Sequence, residues 1–419
     1  MAKNALIALL IKVLSALLGM FASVYIGRTL GDQALGNVGL VNSFAAVSAV
    51  LGTFGLNVFY LREFNQRNIF KKFYLIKNIT FTILIICLII STLNYLYFEF
   101  IREPSDGFTE ALSLISIVVF FMALNQMLIA HARATLNTRA IAILMVFPNI
   151  MKLIVIAYAA FVKLSLESFV TFYILTFLLT PLLYFGFNQA KLVKVVYKKC
   201  FIEFKGERKN KIHRREKLIK AGAPFILVEG MLILFSNTDV FVLSLFTNAS
   251  ELGQYVVALS FLSMFMMIIS SAQTFTASRV SEIFRVKGRN QMRTYLKNIT
   301  RFQFLLSFVL YLIILSFGEE LIYILYGEGY ESSHKVLVII GFGYVIKSFL
   351  GVPGLVLNMC GFERQYSRIS ISWFLVNLII SLIFARYHGV LGVALATSLS
   401  IICLQIHLLI RASHELKTL

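Results

Sequence analysis

The sequence predicts an all-α polytopic membrane protein with about twelve transmembrane helices. Hydrophobic residues make up 59% of its 419 positions and the mean hydropathy is +0.83, whereas soluble globular proteins are about half apolar. Apolar runs of about 18 residues or more recur from end to end, and each can cross a ~30 Å hydrocarbon core as a helix. The runs are continuous rather than alternating, which favours helices over the strands of a membrane β-barrel.

Each long apolar segment is predicted to be a helix, because a segment in lipid must satisfy its own backbone polar groups. The first segment is longer than the apolar core of a signal peptide, and we interpret it as a retained helix. The predicted spans are residues 5–27, 36–59, 76–98, 108–131, 140–162, 167–188, 221–246, 253–277, 302–318, 334–357, 369–386 and 389–411.

The net charge of +19 is explained by topology rather than by nucleic-acid binding. With a cytoplasmic N-terminus, 31 of the 39 Lys and Arg fall on cytoplasmic segments or at the cytoplasmic ends of spans, and only five on the opposite side. This asymmetry follows the positive-inside rule and places both termini in the cytoplasm. The five basic residues on the outer side are Arg28, Arg102, Lys163, Lys335 and Arg386.

A basic stretch over residues 189–220 divides the chain nearly in half, with twelve Lys and Arg against three Glu. We therefore predict an N-terminal six-helix bundle over residues 1–190, a basic cytoplasmic linker over 191–220 and a C-terminal six-helix bundle over 221–419. Two interpretations of the linker stay open. It binds anionic lipid headgroups, or it is a solvated loop.

The two halves carry a weak repeat. A shift of 217 residues places "YIGRTLGDQALGNVGLVNSF" (25–44) on "VLSLFTNASELGQYVVALSF" (242–261). The matches fall at an outer turn, in the next helix and at the cytoplasmic end of that helix. Parallel repeats of this kind enclose a central cavity and are typical of transporters. The matched pairs are Leu35-Gly36 with Leu252-Gly253, Ser43-Phe44 with Ser260-Phe261, and Arg62 with Arg279.

Three lysines lie more than one turn inside the predicted spans, where an ionisable group costs about 2.5–3.5 kcal/mol unless it faces an interior or watery site. Lys152 and Lys347 are near mid-segment, and Lys12 is close enough to a helix end to snorkel. Small residues accompany these lysines and are also typical of helix-packing faces. A cavity carrying buried cations suits an anionic cargo, above all a phosphate or diphosphate.

Two acids share the predicted helix 221–246, namely Glu229 and Asp239. A carboxylate partly buried in a bundle can have its pKa raised into the working range, which couples protonation to conformation. Glu229 is nearer mid-helix and is the stronger candidate for coupling to a proton or sodium gradient. Asp239 has two further interpretations, as a hydrogen-bond anchor or as the partner of a basic neighbour such as Arg28.

Motifs of enzymes and cofactor sites are absent from the sequence. It has no GxxxxGK[ST], HExxH or GxSxG motif, and its four cysteines are scattered. The predicted outer loops are short, whereas a membrane enzyme of glycan assembly needs a substantial loop to hold its acceptor. We therefore predict a transporter without a cofactor rather than an enzyme.

The chain resembles the polysaccharide-exporter branch of the multidrug/oligosaccharidyl-lipid/polysaccharide (MOP) superfamily, namely the Wzx-type O-antigen flippases. The resemblance rests on the two repeat stretches above, with the second extended to "NTDVFVLSLFTNASELGQYVVALSF" (237–261). It also rests on "LYGEGYESSHKVL" (325–337) and "HGVLGVALATSLS" (388–400). It spans all twelve predicted helices, and Asp239 matches a recurrent position of the family.

The resemblance implies a flippase that moves an undecaprenyl-diphosphate-linked oligosaccharide from the cytoplasmic to the periplasmic leaflet of a bacterial inner membrane. It implies a cationic central cavity and ion coupling. Lys12, Lys152 and Lys347 are the cavity candidates because they lie inside the predicted spans, and they do not match a family motif. The candidates at the cavity entrance are Arg28, Arg62 and Arg279. Pathway polymerases and glycosyltransferases are the expected partners. The alternatives are a drug/cation antiporter of the same superfamily, a glycan-assembly enzyme and a scaffold, and the short chain disfavours a lipid II flippase.

Overall fold

The computed structural model describes residues 2–64, 69–100, 108–135, 137–165, 168–181, 230–286 and 289–418, and these form thirteen helices. The first seven are α1 (Ala2–Thr29), α2 (Gly31–Thr53), α3 (Leu56–Phe64), α4 (Ile69–Phe100), α5 (Phe108–Ala134), α6 (Thr138–Val162) and α7 (Ser168–Pro181). The remaining six are α8 (Met231–Phe246), α9 (Ala249–Val286), α10 (Arg289–Tyr326), α11 (Glu331–Leu350), α12 (Pro353–Met359) and α13 (Glu363–Thr418).

The prediction of an all-α polytopic membrane protein is confirmed. In the described part of the chain, seven helices are long and apolar enough to cross a membrane, and four shorter apolar helices accompany them. The last two predicted spans fall on the single helix α13, which bends at Gly389, where φ is +54°. Glycine alone adopts that angle at little cost, so it can turn the helix back on itself.

The described residues divide into two compact units. The first comprises Met1–Leu18 and Phe44–Gly230, and the second comprises Gly19–Ser43 and Met231–Leu419. Residues 19–43 therefore pack with the C-terminal part of the chain, although they precede the predicted linker by more than a hundred residues. The predicted linker 191–220 lies outside the described residues, and the division into two six-helix bundles stays a prediction.

Helix α11 ends earlier than predicted. The span was predicted over residues 334–357, but α11 stops at Leu350 and the short helix α12 follows from Pro353. Gly351 adopts a φ of +82°, which an L side chain rarely takes, and proline disfavours helical backbone in the residue before it. Apolar composition continues across this break, so hydropathy did not reveal it.

In the second unit, α2 and α9 approach each other so closely that two glycines are required. A Cβ atom at Gly36 would overlap the carbonyl oxygen of Ala249, and a Cβ atom at Gly253 would overlap the carbonyl oxygen of Asp32. Small residues of this kind let membrane helices pack backbone against backbone. We call the contact of Asp32, Gly36, Ala249 and Gly253 the glycine seam.

The glycine seam has the reciprocity of a two-fold axis. The 217-residue shift relates Asp32 to Ala249 and Gly36 to Gly253, so the contact of Asp32 with Gly253 maps onto that of Ala249 with Gly36. Reciprocal contacts between equivalent residues are a property of isologous interfaces. The residues matched by the sequence repeat therefore pack on each other.

The predicted location of these glycines in an outer turn is wrong. The chain turns at Leu30, and Gly36 lies inside α2, which begins at Gly31. Gly253 likewise lies inside α9, which begins at Ala249. A glycine shortly before an apolar run resembles a turn residue in the sequence, but here its missing side chain permits helix packing.

Hydroxyl groups hold α1 against α9 and α10 beside the seam. The Ser23 Oγ lies 2.8 Å from the Ser260 Oγ and 3.0 Å from the Tyr326 hydroxyl. The Tyr330 hydroxyl donates to the Gly27 carbonyl oxygen at 2.8 Å. These bonds satisfy polar side chains within the helix packing and fix the second half of α1 on the second unit.

We expect Gly36→Ala or Gly253→Ala to destabilise the protein by about 1–3 kcal/mol, the usual effect of overpacking. The added methyl group would collide with a backbone carbonyl of the facing helix. Gly19→Ala is the matched control, because a Cβ atom at that helical position meets nothing within 4 Å. Thermal unfolding in one detergent measures all three, and an unchanged midpoint for both seam variants would contradict the close packing.

Candidate transport site

Lys152 of α6 is held against two aromatic rings of α7 in the first unit. Its Nζ lies 4.4 Å from the centroid of Phe177 and 5.0 Å from that of Tyr173. Each such contact stabilises a partly desolvated ammonium by about 0.5–2 kcal/mol. The rings thus offset part of the cost of keeping a cation near the middle of a membrane helix.

An amide one turn before Lys152 anchors α6 to α1. The Asn149 Nδ2 donates to the Ser15 Oγ at 2.8 Å and to the Ser15 carbonyl oxygen at 3.2 Å, and the Ser15 Oγ donates to the Met145 carbonyl oxygen at 3.0 Å. Pro148 lies inside the same helix and removes one backbone donor there. The anchor fixes the rotation of α6 about its axis, and with it the side from which Lys152 emerges.

Lys347 lies in the last turn of α11, not at mid-segment as predicted, because the helix ends at Leu350. A cation in that position is favoured by the negative end of the helix dipole. Its Nζ lies 5.3 Å from the ring centroid of Tyr344, one turn earlier. The Tyr344 ring in turn stacks on Phe265 of α9, with centroids 6.1 Å apart and planes 25° apart.

Two buried hydrogen bonds pin this end of α11 to α10. The Gln303 Nε2 donates to the Ser348 carbonyl oxygen at 2.9 Å, and the Ser307 and Ser348 hydroxyl oxygens are 2.9 Å apart. On the other side of the helix break, the Gln405 Nε2 of α13 donates to the Gly351 carbonyl oxygen at 2.7 Å. Lys347 therefore emerges from a backbone held on both sides.

Asp239 of α8 is buried, with 3% of its surface exposed, and it accepts hydrogen bonds from two hydroxyl groups. The Tyr255 hydroxyl of α9 donates to its Oδ2 at 2.6 Å, and the Thr397 hydroxyl of α13 donates to its Oδ1 at 2.7 Å. The Asn377 side chain of α13 is buried near this carboxylate without a hydrogen bond from its Nδ2, and the Ser381 hydroxyl donates to the Asn377 Oδ1 at 3.4 Å. One carboxylate thus joins three helices of the second unit.

The interpretation of Asp239 as the partner of Arg28 is wrong. Arg28 is exposed, and its Nη1 donates to the Ile324 carbonyl oxygen at 3.3 Å. The sequence did not reveal Tyr255, Thr397 or Asn377 as the neighbours of Asp239. Their only signal was a set of polar residues at helical spacing inside otherwise apolar spans, since Thr397 is 158 positions away in the chain.

The oxygen atoms around Asp239 suit a proton or a small hard cation. Carboxylate, hydroxyl and amide oxygens are the ligands that such cations prefer. A hydroxyl group that donates to the carboxylate can rotate, so that its oxygen instead accepts a hydrogen bond from the protonated acid or ligates a bound cation. A buried charge that is satisfied by neutral donors rather than by a fixed countercharge can be neutralised without leaving a second charge unpaired.

The other predicted site residues fall outside this description. Glu229 lies outside the described residues, and so do the side chains of Lys12, Arg62 and Arg279. Within the second unit, the Lys347 ammonium lies over the Tyr344 ring, and Asp239 lies between the Tyr255 and Thr397 hydroxyls. Lys152 belongs to the first unit.

The profile of a family described as polysaccharide biosynthesis protein matches residues 1–277, which is more than half of the chain. The chain belongs to this family. A second profile, MatE, matches residues 224–383, in the C-terminal part of this chain.

A curated relative of this family member is "Probable low-salt glycan biosynthesis flippase Agl15" of Haloferax volcanii. It is 25% identical over 169 residues, which are 40% of this chain and 35% of that protein. The chain therefore matches about a third of the length of that relative.

Solved structures show the same fold. The lipid II flippase MurJ in an inward closed conformation has a TM-score of 0.74 at 15% identity, covering 96% of this chain and 87% of MurJ. An inward-facing multidrug resistance MATE transporter of the MOP superfamily has a TM-score of 0.73 at 15% identity, covering 99% of this chain and 98% of its own. These likenesses show that the chain shares the fold of a lipid II flippase and of a multidrug resistance transporter.

We expect Thr397→Val, which keeps the shape and removes the hydroxyl, to destabilise the second unit by about 1–3 kcal/mol. The buried Asp239 Oδ1 would lose its donor, and an unsatisfied buried group carries its desolvation cost. Ser372→Ala is the control on the same helix, because that exposed hydroxyl donates only to the carbonyl oxygen of its own turn. Equal unfolding midpoints for the two variants would contradict this role of Thr397.

Proposed function

We propose that this chain flips an undecaprenyl-diphosphate-linked oligosaccharide from the cytoplasmic to the periplasmic leaflet of a bacterial inner membrane by alternating access. The observation that carries the proposal is the placement of Lys152 and Lys347, one in each unit, on aromatic faces of a polysaccharide-biosynthesis family member. The name of the relative from Haloferax volcanii supports the same class of cargo.

The diphosphate is the part of such a cargo that costs the most free energy to move through the membrane. The lipid tail stays in the bilayer, while the diphosphate and sugars leave water and need groups that replace their hydration. Lysine ammonium groups bind phosphate oxygens through charge-assisted hydrogen bonds. The inside-negative potential adds about 2.3 kcal/mol per charge per 100 mV in favour of outward movement of an anion.

We assign the coupling ion to Asp239. A proton or Na⁺ bound among the Asp239 carboxylate, the Tyr255 and Thr397 hydroxyls and the Asn377 amide would neutralise a buried charge that joins three helices. Binding there can shift the balance between two packings of those helices, since a ligand stabilises the state that binds it better. Glu229 stays the alternative coupling residue.

The topology and partners follow from the same proposal. Both termini and the basic linker 191–220 lie in the cytoplasm, where the lipid-linked cargo is made. Two six-helix bundles enclose the cavity, with Lys12 inside it and Arg28, Arg62 and Arg279 at its entrances. Glycosyltransferases and a polymerase of the same pathway supply and consume the cargo.

A drug/cation antiporter is the second candidate function. The MatE profile over residues 224–383 and the likeness to MATE structures favour it. An antiporter for cationic drugs needs an acidic cavity, whereas Lys152 and Lys347 supply positive charge. A strain without the gene separates the two candidates. Lipid-linked repeat units accumulate on the cytoplasmic leaflet if the cargo is a glycan, and drug sensitivity rises if it is a cationic drug.

Replacing both Lys152 and Lys347 with Ala should reduce glycan export by about tenfold or more, because each lysine binds the diphosphate by a charge-assisted bond of about 1.5–3 kcal/mol. Lys335→Ala is the matched control, since this exposed lysine lies on α11 with Lys347. Export is measured as surface glycan in cells with equal amounts of protein. Undiminished export in the double variant would exclude the cationic cavity.

Asp239→Asn should uncouple transport from the ion gradient, because the amide keeps the shape of the side chain but binds neither a proton nor Na⁺ strongly. Proteoliposomes with an imposed proton or sodium gradient, one at a time, measure the rate of flipping. The wild type should respond to one gradient by about fivefold or more, the range of typical coupling energies, and Asp239→Asn to neither. A full response in Asp239→Asn would move the coupling site elsewhere.

A further inference from the structure

Helix α10 exposes charged side chains at its two ends and apolar side chains between them. Arg293, Lys297 and Arg301 are exposed near its start, and Glu319 and Glu320 are exposed near its end. At about 1.5 Å per residue, the stretch from Arg301 to Glu319 is about 27 Å long, close to the ~30 Å of a hydrocarbon core. The exposed charges of this helix therefore mark both boundaries of the membrane.

The three basic residues lie on one side of α10, because each follows the previous one by four positions. We call Arg293, Lys297 and Arg301 the basic stripe. The same series continues with Leu305 and Val309, which are 59% and 53% exposed. One face of the helix thus changes from cationic to apolar within about one turn, at the level where headgroups meet acyl chains.

Packing of the other side of α10 fixes the direction of the basic stripe. Met292 is buried in a cluster with Val280 of α9 and Val356 of α12, and Tyr295 and Leu296 pack against this cluster. A helix held in this way cannot rotate about its axis without exposing apolar side chains. The basic stripe therefore stays on the outer surface of the second unit.

The basic stripe carries positive charge that its own surroundings leave uncompensated. Within the described part of the chain, no acidic side chain forms an ion pair with any of its three members. Like charges four positions apart on a helix repel each other and destabilise it. A bound anion would remove this repulsion.

The repeat indicates that the fold itself does not require the basic stripe. At the 217-residue shift, Lys297 corresponds to Thr80 and Arg301 to Leu84 of α4. Neither of these residues is basic, although α4 is also long and apolar enough to cross a membrane. The charges at these positions of α10 are thus specific to the second half of the chain.

We propose that the basic stripe binds the headgroups of anionic phospholipids in the cytoplasmic leaflet, with their acyl chains along Leu305 and Val309. Lysine and arginine bind phosphate oxygens through charge-assisted hydrogen bonds, and arginine can use two donors at once. A soluble anion would contact the charges alone, whereas a phospholipid also covers the apolar surface that continues the stripe. The inference goes beyond the proposed function, because this lipid stays in its leaflet and is not the cargo.

The chain contains a single tryptophan, Trp373, so its fluorescence can be moved to a chosen position. The first reporter is the full-length protein with Trp373→Phe and Phe302→Trp, since Phe302 follows Arg301 and is 65% exposed. It is reconstituted into vesicles of phosphatidylcholine with rising fractions of brominated phosphatidylglycerol, which quenches nearby tryptophan. We expect the anionic lipid to bind there about fivefold or more tightly than the neutral one, the effect of one or more basic residues at a membrane surface.

Lys297→Gln combined with Arg301→Gln should lower this preference to less than about twofold. Lys335→Gln combined with Arg386→Gln is the matched control, because it also removes one exposed lysine and one exposed arginine, on the predicted outer side. The control should keep the full preference. An equal loss in both double variants would overturn the proposal, since net charge rather than the stripe would then attract the lipid.

A second reporter tests the dependence on position. Phe317→Trp combined with Trp373→Phe places the indole at the other end of α10, where Phe317 is 56% exposed and precedes Glu319. It should report a preference below about twofold. Leu305→Trp replaces Phe302→Trp if the first reporter does not fold.

Two further results would contradict the proposal. A preference below about twofold beside Arg301 would mean that the basic stripe is a solvated or protein-binding face. Loss of the preference when inorganic phosphate is added at constant ionic strength would mean that the stripe binds a soluble anion instead of a lipid.

Discussion

The direct backbone contact of α2 with α9 is the constraint on which the second unit depends. Gly36 and Gly253 have no side chains, so α9 packs directly on the backbone of α2. The Ala249 carbonyl oxygen lies against Gly36, and the Asp32 carbonyl oxygen lies against Gly253. Tyr255 follows Gly253 by two residues, so the seam determines where its hydroxyl reaches Asp239. Phe265, ten residues further along α9, then stacks on Tyr344 and sets the ring on which Lys347 rests. A contact made of four backbone positions is thus connected to both charged groups.

Asp239 and Lys347 of the second unit each rest on neutral aromatic or hydroxyl groups. Asp239 is satisfied by the Tyr255 and Thr397 hydroxyls, and the ammonium of Lys347 rests on the face of Tyr344. A direct ion pair of the two would stabilise one arrangement at the expense of every other and leave a costly unpaired charge whenever it opened. Neutral partners bind each charge with moderate strength. Exchange of those partners for a cargo or an ion is therefore less costly than breaking a buried salt bridge.

Periodicity and charge predicted much of the fold, and distance in the chain limited the prediction of the site. The spans, the repeat and Lys152 followed from local composition, because a mid-helix lysine is expensive wherever its helix packs. The partners of Asp239 did not, since Thr397 and Asn377 meet it only after α8 packs on the two arms of α13. The end of α11 at Gly351 was missed because hydropathy continues through Val352 and Pro353. The paired glycines were matched correctly but assigned to a turn, because a glycine that opens a turn and one that admits a neighbouring helix have the same local sequence.

The reciprocity of the glycine seam bears on the ancestry of the chain. Two identical copies of a half-length protein, related by a two-fold axis, would make the contact of Asp32 with Gly253 twice over, once in each direction. A duplicated and fused gene inherits such a contact and is then free to let its two sides diverge. Gly39 faces Val256, which is its own counterpart at the 217-residue shift. The two residues that meet on the axis therefore differ. The two halves of the seam match where backbone meets backbone and differ where a side chain fills the contact.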